Sequence, residues 1–216
     1  MHDLDLATLD RDGAVREAAD KIADTRAGFL GKAALAAGGL MGGGAVLGAT
    51  SVRAASLSDT DVDILNFALT LEYLEATFYE RSLKHAGLHG RVLHFARVVN
   101  AHEHTHVRAL KKVLGGKAIK KPAFDFGSAV QSRAAFVKTS IQLEDTGVRA
   151  YKGQAPRIKS KAILASALSI HTVEAKHAAW IRYLANQSPS PVSEEQPLTM
   201  QAVRSRVAAT GFIKGS

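Results

Sequence analysis

Two short strings in this chain set an imidazole three residues after a carboxylate: Glu103-His104-Thr105-His106 and Glu174-Ala175-Lys176-His177. At that spacing both side chains leave one helix face and can reach a common cation. Each string has a glutamate upstream at nearly the same distance, Glu72 lying 31 residues before Glu103 and Glu144 lying 30 before Glu174. Each of those glutamates is followed seven residues on by a tyrosine, Tyr79 and Tyr151, and seven residues return to the same face of a helix. The chain therefore reads Glu, then Glu-x-x-His, twice in order.

Four carboxylates and two imidazoles in this arrangement match the ligand pattern of helix bundles that hold two iron or two manganese ions. Charge supports the match, because four ionised glutamates balance two divalent cations and neutral histidines add nothing. Taken singly, a glutamate on an amphipathic helix sits at its edge, and a lone histidine is a satisfied core or boundary residue. Here each glutamate interrupts an apolar stripe: Glu72 among Leu65, Leu69 and Ala76, Glu103 among Val99, Val107 and Leu110, Glu144 among Val137, Ile141 and Val148, Glu174 among Ile170, Ala178 and Ile181. Burying an unpaired carboxylate costs several kcal/mol, roughly, so such stripes rarely carry one without a partner. The candidate metal ligands are thus Glu72, Glu103, His106, Glu144, Glu174 and His177, with no catalytic residue singled out beyond them. Hard oxygen donors with two imidazoles suit iron or manganese, and zinc also satisfies the donor set. Tyr79 and Tyr151 are expected to hydrogen-bond the ligand carboxylates, to serve as redox neighbours of the centre, or simply to pack as core aromatics. Glu75 rivals Glu72 for the same face, but its counterpart in the repeat is Gly147, so Glu72 is preferred. His102, His104 and His171 adjoin the motifs yet point away from the ligand face by roughly 100° or more, which suits surface or supporting roles.

The elements that must position these residues are helical throughout. Ser58 or Asp59 can cap, Asp61 and Asp63 lie in a first turn, and apolar residues then recur at helical spacing with no alternating strand pattern. The spacing predicts helices over about 59–86, 90–114, 128–153 and 157–186. The first and second are joined by a short loop, as are the third and fourth at Pro156, which makes each pair antiparallel. The longer stretch from Gly115 to Gly127, with Pro122 and two phenylalanines, must cross the length of the bundle. The expected fold is all-α, an antiparallel four-helix bundle with a long crossover between its second and third helices. From Ser188 onward Pro189, Pro191 and Pro197 break helix, and core material returns only over Val203 to Phe212, as in a strap or a loose end. Three regions follow: 1–55, an N-terminal export region; 56–186, the bundle; 187–216, a C-terminal tail.

In the N-terminal region, residues 31–50 carry one charge and then only small or apolar side chains, seven of the twenty being glycine. Glycine costs about 1 kcal/mol relative to alanine inside a helix, which argues against a permanent membrane anchor. The preceding Thr25-Arg26-Ala27-Gly28-Phe29-Leu30-Gly31-Lys32 resembles a twin-arginine export signal, although only one arginine is present, and cleavage is expected after Ala54 or Ala55. The alternative is an uncleaved Ala/Gly-rich segment that tethers the chain to a membrane or acts as a linker. The expected location is periplasmic or extracellular, with transient membrane contact through the signal. Residues 1–55 hold 6 Lys/Arg against 7 Asp/Glu, so the whole positive excess resides in 56–216. Its positive residues are scattered along helices, which favours solvated faces over a nucleic-acid surface. The absence of cysteine excludes disulfides, thiolate zinc sites and thiol catalysis.

The run Leu69-Thr70-Leu71-Glu72-Tyr73-Leu74-Glu75-Ala76-Thr77-Phe78-Tyr79, with 102–106 and 173–177, resembles the exported ferritin-like domain proteins of bacteria, a domain shared with plant desiccation-related proteins. The resemblance covers about 56–186 and implies the ferritin-like fold with a dimetal centre, closer to rubrerythrin-type and bacterioferritin-type sites than to an iron-storage cage. One expectation is a redox enzyme that oxidises Fe(II) or consumes peroxide, with metal ions and small oxidants as partners. The competing expectation is a non-catalytic stress scaffold whose ions staple the bundle. The sequence is compatible with a monomer or a homodimer.

Overall fold

The computed structural model describes residues 57–214. The export motif, the apolar stretch over 31–50 and the cleavage positions lie outside the described residues. Five α-helices are formed among the described residues: α1 (Asp59–His85), α2 (Gly90–Leu114), α3 (Arg133–Gln154), α4 (Lys161–Leu184) and α5 (Met200–Thr210). The fold is the expected all-α bundle, built from α1 to α4.

Hydroxyl caps start four of these helices. The Ser58 Oγ accepts from Asp61 N at 3.0 Å, Ser132 Oγ from Ala135 N at 3.2 Å, Ser160 Oγ from Ile163 N at 3.4 Å and Thr199 Oγ1 from Ala202 N at 3.1 Å. Two caps correct the expected boundaries. The third helix begins at Arg133 rather than near 128, because Gly127–Val130 closes as a 3-10 turn before Ser132 turns the chain into α3. The fourth begins at Lys161 rather than 157, because Pro156 lies in a 3-10 turn over Ala155–Arg157 and Ser160 supplies the cap. Asp61, only 2% exposed, reaches across from α1 to the start of α4 and accepts from Lys159 N at 2.8 Å and Ser160 N at 3.2 Å.

Side-chain pairs fix the directions. Tyr79 meets Glu144 while Tyr151 meets Glu72, so α1 and α3 run antiparallel, and His106 meets Glu174 while His177 meets Glu103, so α2 and α4 do too. An antiparallel α1–α3 pair requires the connection between α2 and α3 to travel the bundle's length. Along that crossover Ala123–Phe124 forms a two-residue strand, β1, which pairs antiparallel with β2 (Ile213–Lys214). Two residues are too few to show an alternating sequence pattern.

The tail is a strap. Leu198 N donates to Arg149 O at 3.0 Å, and the Arg149 and Lys152 side chains donate to the carbonyls of Gln196 and Glu195. The helix α5 then buries Val203 and Val207, and Phe212 packs edge-on against Phe126 of the crossover with ring centroids 5.1 Å apart. An aromatic cluster fills one part of the core: Phe78 stacks on Phe136 at 5.6 Å, and Phe95 meets Trp180 edge-on at 5.1 Å. No helix among the described residues is long and apolar enough to cross a membrane.

Candidate metal centre

Each helix of the bundle brings its part of the repeat to one interior point. Glu72 from α1, Glu103 and Glu174 from α2 and α4, and Glu144 from α3 are all 0% exposed, with His177 at 2% and His106 at 8%. The periodicity explains this burial, since every one of them stands in the stripe its helix turns inward. Their ligating atoms fall into two groups, each closed to within 4.8 Å: Glu72, Glu103, Glu174 and His106 in one, and Glu103, Glu144, Glu174 and His177 in the other. Glu103 and Glu174 belong to both, so the two groups share the carboxylates of the Glu-x-x-His strings, and Glu72 and Glu144 each serve one.

The imidazoles enter these groups through the same nitrogen. His106 Nδ1 lies 3.2 Å from Glu72 Oε2, 3.2 Å from Glu103 Oε2 and 3.1 Å from Glu174 Oε1. His177 Nδ1 lies 3.2 Å from Glu103 Oε1, 3.3 Å from Glu144 Oε2 and 3.7 Å from Glu174 Oε2. One ring nitrogen carries one proton at most and cannot satisfy three oxygens at once. Accordingly Glu103 Oε1, Glu144 Oε2, both Glu174 oxygens and His177 Nδ1 are buried without a hydrogen-bond partner. Orphaned oxygens converging with orphaned imidazole nitrogen are what a pair of cations bound between them would satisfy, so the donor set fits two ions in chemistry and in number.

The electrostatics say what holds the cluster when no ion is bound. Burial alone would depress both imidazoles, but the charge of Glu72, with Glu103 and Glu174 also beside the ring, holds His106 far above its usual value. Against the same burial penalty, Glu144 and the surrounding carboxylates push His177 up to about 12. Desolvation raises the Glu144 carboxyl to about 7 and Glu103 well above the usual carboxylate range. Glu174 is desolvated too, yet the His106 and His177 imidazoles beside it bring it down to about 2. Protons on the two histidines thus take the place of cations.

Two tyrosines close the frame from opposite sides. The Tyr79 hydroxyl donates to Glu144 Oε1, and the Tyr151 hydroxyl donates to Glu72 Oε1 at 2.5 Å. Each tyrosine hydrogen-bonds the glutamate of the other half. Burial, together with the facing glutamate, raises both phenols well above their usual value, so they remain donors.

His102 is the supporting residue that helix geometry alone did not assign. Its exposed ring stacks on His177, and its Nδ1 lies 2.9 Å from His177 Nε2. Burial and the neighbouring charge of His177 hold His102 below the usual imidazole value, so it is the neutral acceptor of the His177 Nε2–H. That bond directs His177 Nδ1 at the carboxylates. The available signal was position, one residue before Glu103 on a helix packed against the opposing string. His104 and His171 lie outside both ligand groups. Glu75 also lies outside them but is only 3% exposed, and burial raises its carboxyl, with Glu174, Glu144, Glu103 and Glu72 pushing the same way. Residues 60–187 fit the model of a family described as a ferritin-like domain. No curated protein matches the chain.

Proposed function

The chain belongs to the ferritin-like domain family, and from that footing we propose that it is an exported protein whose bundle holds two iron or two manganese ions and turns over oxygen or peroxide, as Fe(II) oxidation or peroxide removal. The observation that carries the reading is the convergence of four carboxylates and two imidazoles in two groups that share Glu103 and Glu174. Bound there, a redox-active metal pair would bind the oxidant and exchange electrons with it.

The protein's own residues prepare the site. Glu72, Glu144, His106 and His177 would each hold one ion, and Glu103 and Glu174 would contact both. Tyr79 and Tyr151 fix one oxygen of Glu144 and of Glu72, leaving the other free to face the centre. His102 keeps the His177 Nδ1 lone pair turned inward. The aromatic wall of Phe78, Phe95 and Phe136, each 0% exposed, keeps bulk water from that side. Export rests on the features of residues 25–55, from which a mature chain starting near Ala55 or Ser56 follows, checked by its mass in the envelope fraction.

Complete burial of the four glutamates also supports a second reading, in which the ions staple the bundle without turnover. One experiment separates the two. The anaerobic Fe(II)-loaded protein is mixed with oxygen or peroxide in a stopped-flow spectrometer beside a Glu103→Ala, Glu174→Ala control. Oxidation faster than the control supports the enzyme, whereas equal rates with iron bound leave the staple, and failure to bind iron, manganese or zinc ends both readings.

A further inference from the structure

Glu75 is the strongest feature that the six-ligand centre does not use. It lies three residues after Glu72, on the same helix face, and is 97% removed from solvent by its 3% exposure. Among the described residues no ion pair and no hydrogen bond involves it. The half-repeat gives it no carboxylate counterpart, since position 147 in α3 is glycine. A Cβ placed on Gly147 would touch Glu75 Oε1 at 3.4 Å and Glu174 Oε2 at 3.5 Å, so the Glu75 carboxylate and one orphaned oxygen of Glu174 face the same gap over α3. A side chain longer than alanine would compete with both for that space.

Charge states what such a group is for. Four glutamates balance two divalent ions; a fifth overbalances them by one negative charge and matches a pair made of one divalent and one trivalent ion. We infer that Glu75 is the charge-compensating carboxylate of the trivalent state: it is not needed to retain two divalent ions, and it selects for a pair in which one ion carries an additional positive charge. This inference rests on the metal-centre reading above. It agrees with the expectation from the repeat that removing Glu75 spares bound divalent metal.

The test uses redox-inert ions, so that turnover plays no part. Zinc(II) and gallium(III), each buffered by nitrilotriacetate, are titrated into the full chain and into Glu75→Gln and Glu75→Asp. Wild type and Glu75→Gln are both expected to take up two zinc ions, the variant more weakly. Gallium affinity in Glu75→Gln is expected to fall on the order of a hundred-fold further than zinc affinity, the effect of one extra metal charge at about 5 Å through an effective dielectric of about 20. Glu75→Asp, which keeps the charge, is expected to keep most of the gallium affinity. Unchanged gallium binding in Glu75→Gln with zinc retained overturns the inference, as does an equal loss of both metals, which would make Glu75 an ordinary ligand. If wild type binds no zinc, the metal-centre reading fails first and takes this one with it.

Discussion

At the scale of single residues, the cluster offers the same oxygens to protons and to cations. The signs can be followed group by group. Glu144 holds its proton up to about 7 in the folded chain, whereas an unfolded glutamate releases it near 4.3, so its stabilisation is complete at low pH and is lost as pH rises through 7. His177, charged up to about 12 when folded against roughly 6.5 unfolded, adds stability below neutrality that fades through the alkaline range. Glu174, lowered to about 2, works the other way, but only in acid, where its contribution is lost as pH falls through 2. Chelator-stripped protein is therefore expected to show a urea midpoint that falls from pH 5 to pH 9. Added manganese or zinc, which displaces those protons, should stabilise more at pH 9 than at pH 5. A midpoint that rises with pH in stripped protein would contradict this account of the site.

At the scale of elements, the helices were legible because their signals are local. Apolar spacing marks α1 and α2 almost to the residue, and the glycines that end α2 and precede it are visible in the chain. The six candidate ligands were legible because the repeat writes the site twice. The starts of α3 and α4 were not, because Ser132 and Ser160 compete with helix-compatible residues before them and only the folded chain decides which serine caps. Asp61 was read as a first-turn acid of α1, while its larger role is long-range: its carboxylate takes two backbone N–H groups from the turn before α4. Replacing it with alanine leaves those donors without their carboxylate partner. Asp61→Ala is expected to cost about 2–3 kcal/mol in chemical denaturation, the magnitude of charged hydrogen bonds lost from a buried position. A change below about 0.5 kcal/mol would mean that water replaces the carboxylate there.

At the scale of the whole molecule, the strap is what sequence could not resolve, since prolines mark only where helix stops. Its docking depends on Gly153 at the end of α3, where a Cβ would come within 1.9 Å of the Leu198 carbonyl oxygen. Gly153→Ala is expected to lift residues 195–199 from α3, which limited proteolysis would report as faster cleavage between α4 and α5, with a stability loss of about 1–3 kcal/mol from overpacking. The bundle itself should keep its metal content.

The crossed tyrosine bonds also bear on descent. Because Tyr79 serves Glu144 and Tyr151 serves Glu72, neither helical hairpin finishes a half-site alone. An ancestral gene encoding one such hairpin, with its Glu, Glu-x-x-His and Tyr, would have assembled the same centre from two copies related by a twofold axis. Joined in one chain, such copies would be free to diverge. Glu75 and His102 stand in the first half, where the second has Gly147 and Val173, so the two sides of the centre are not interchangeable.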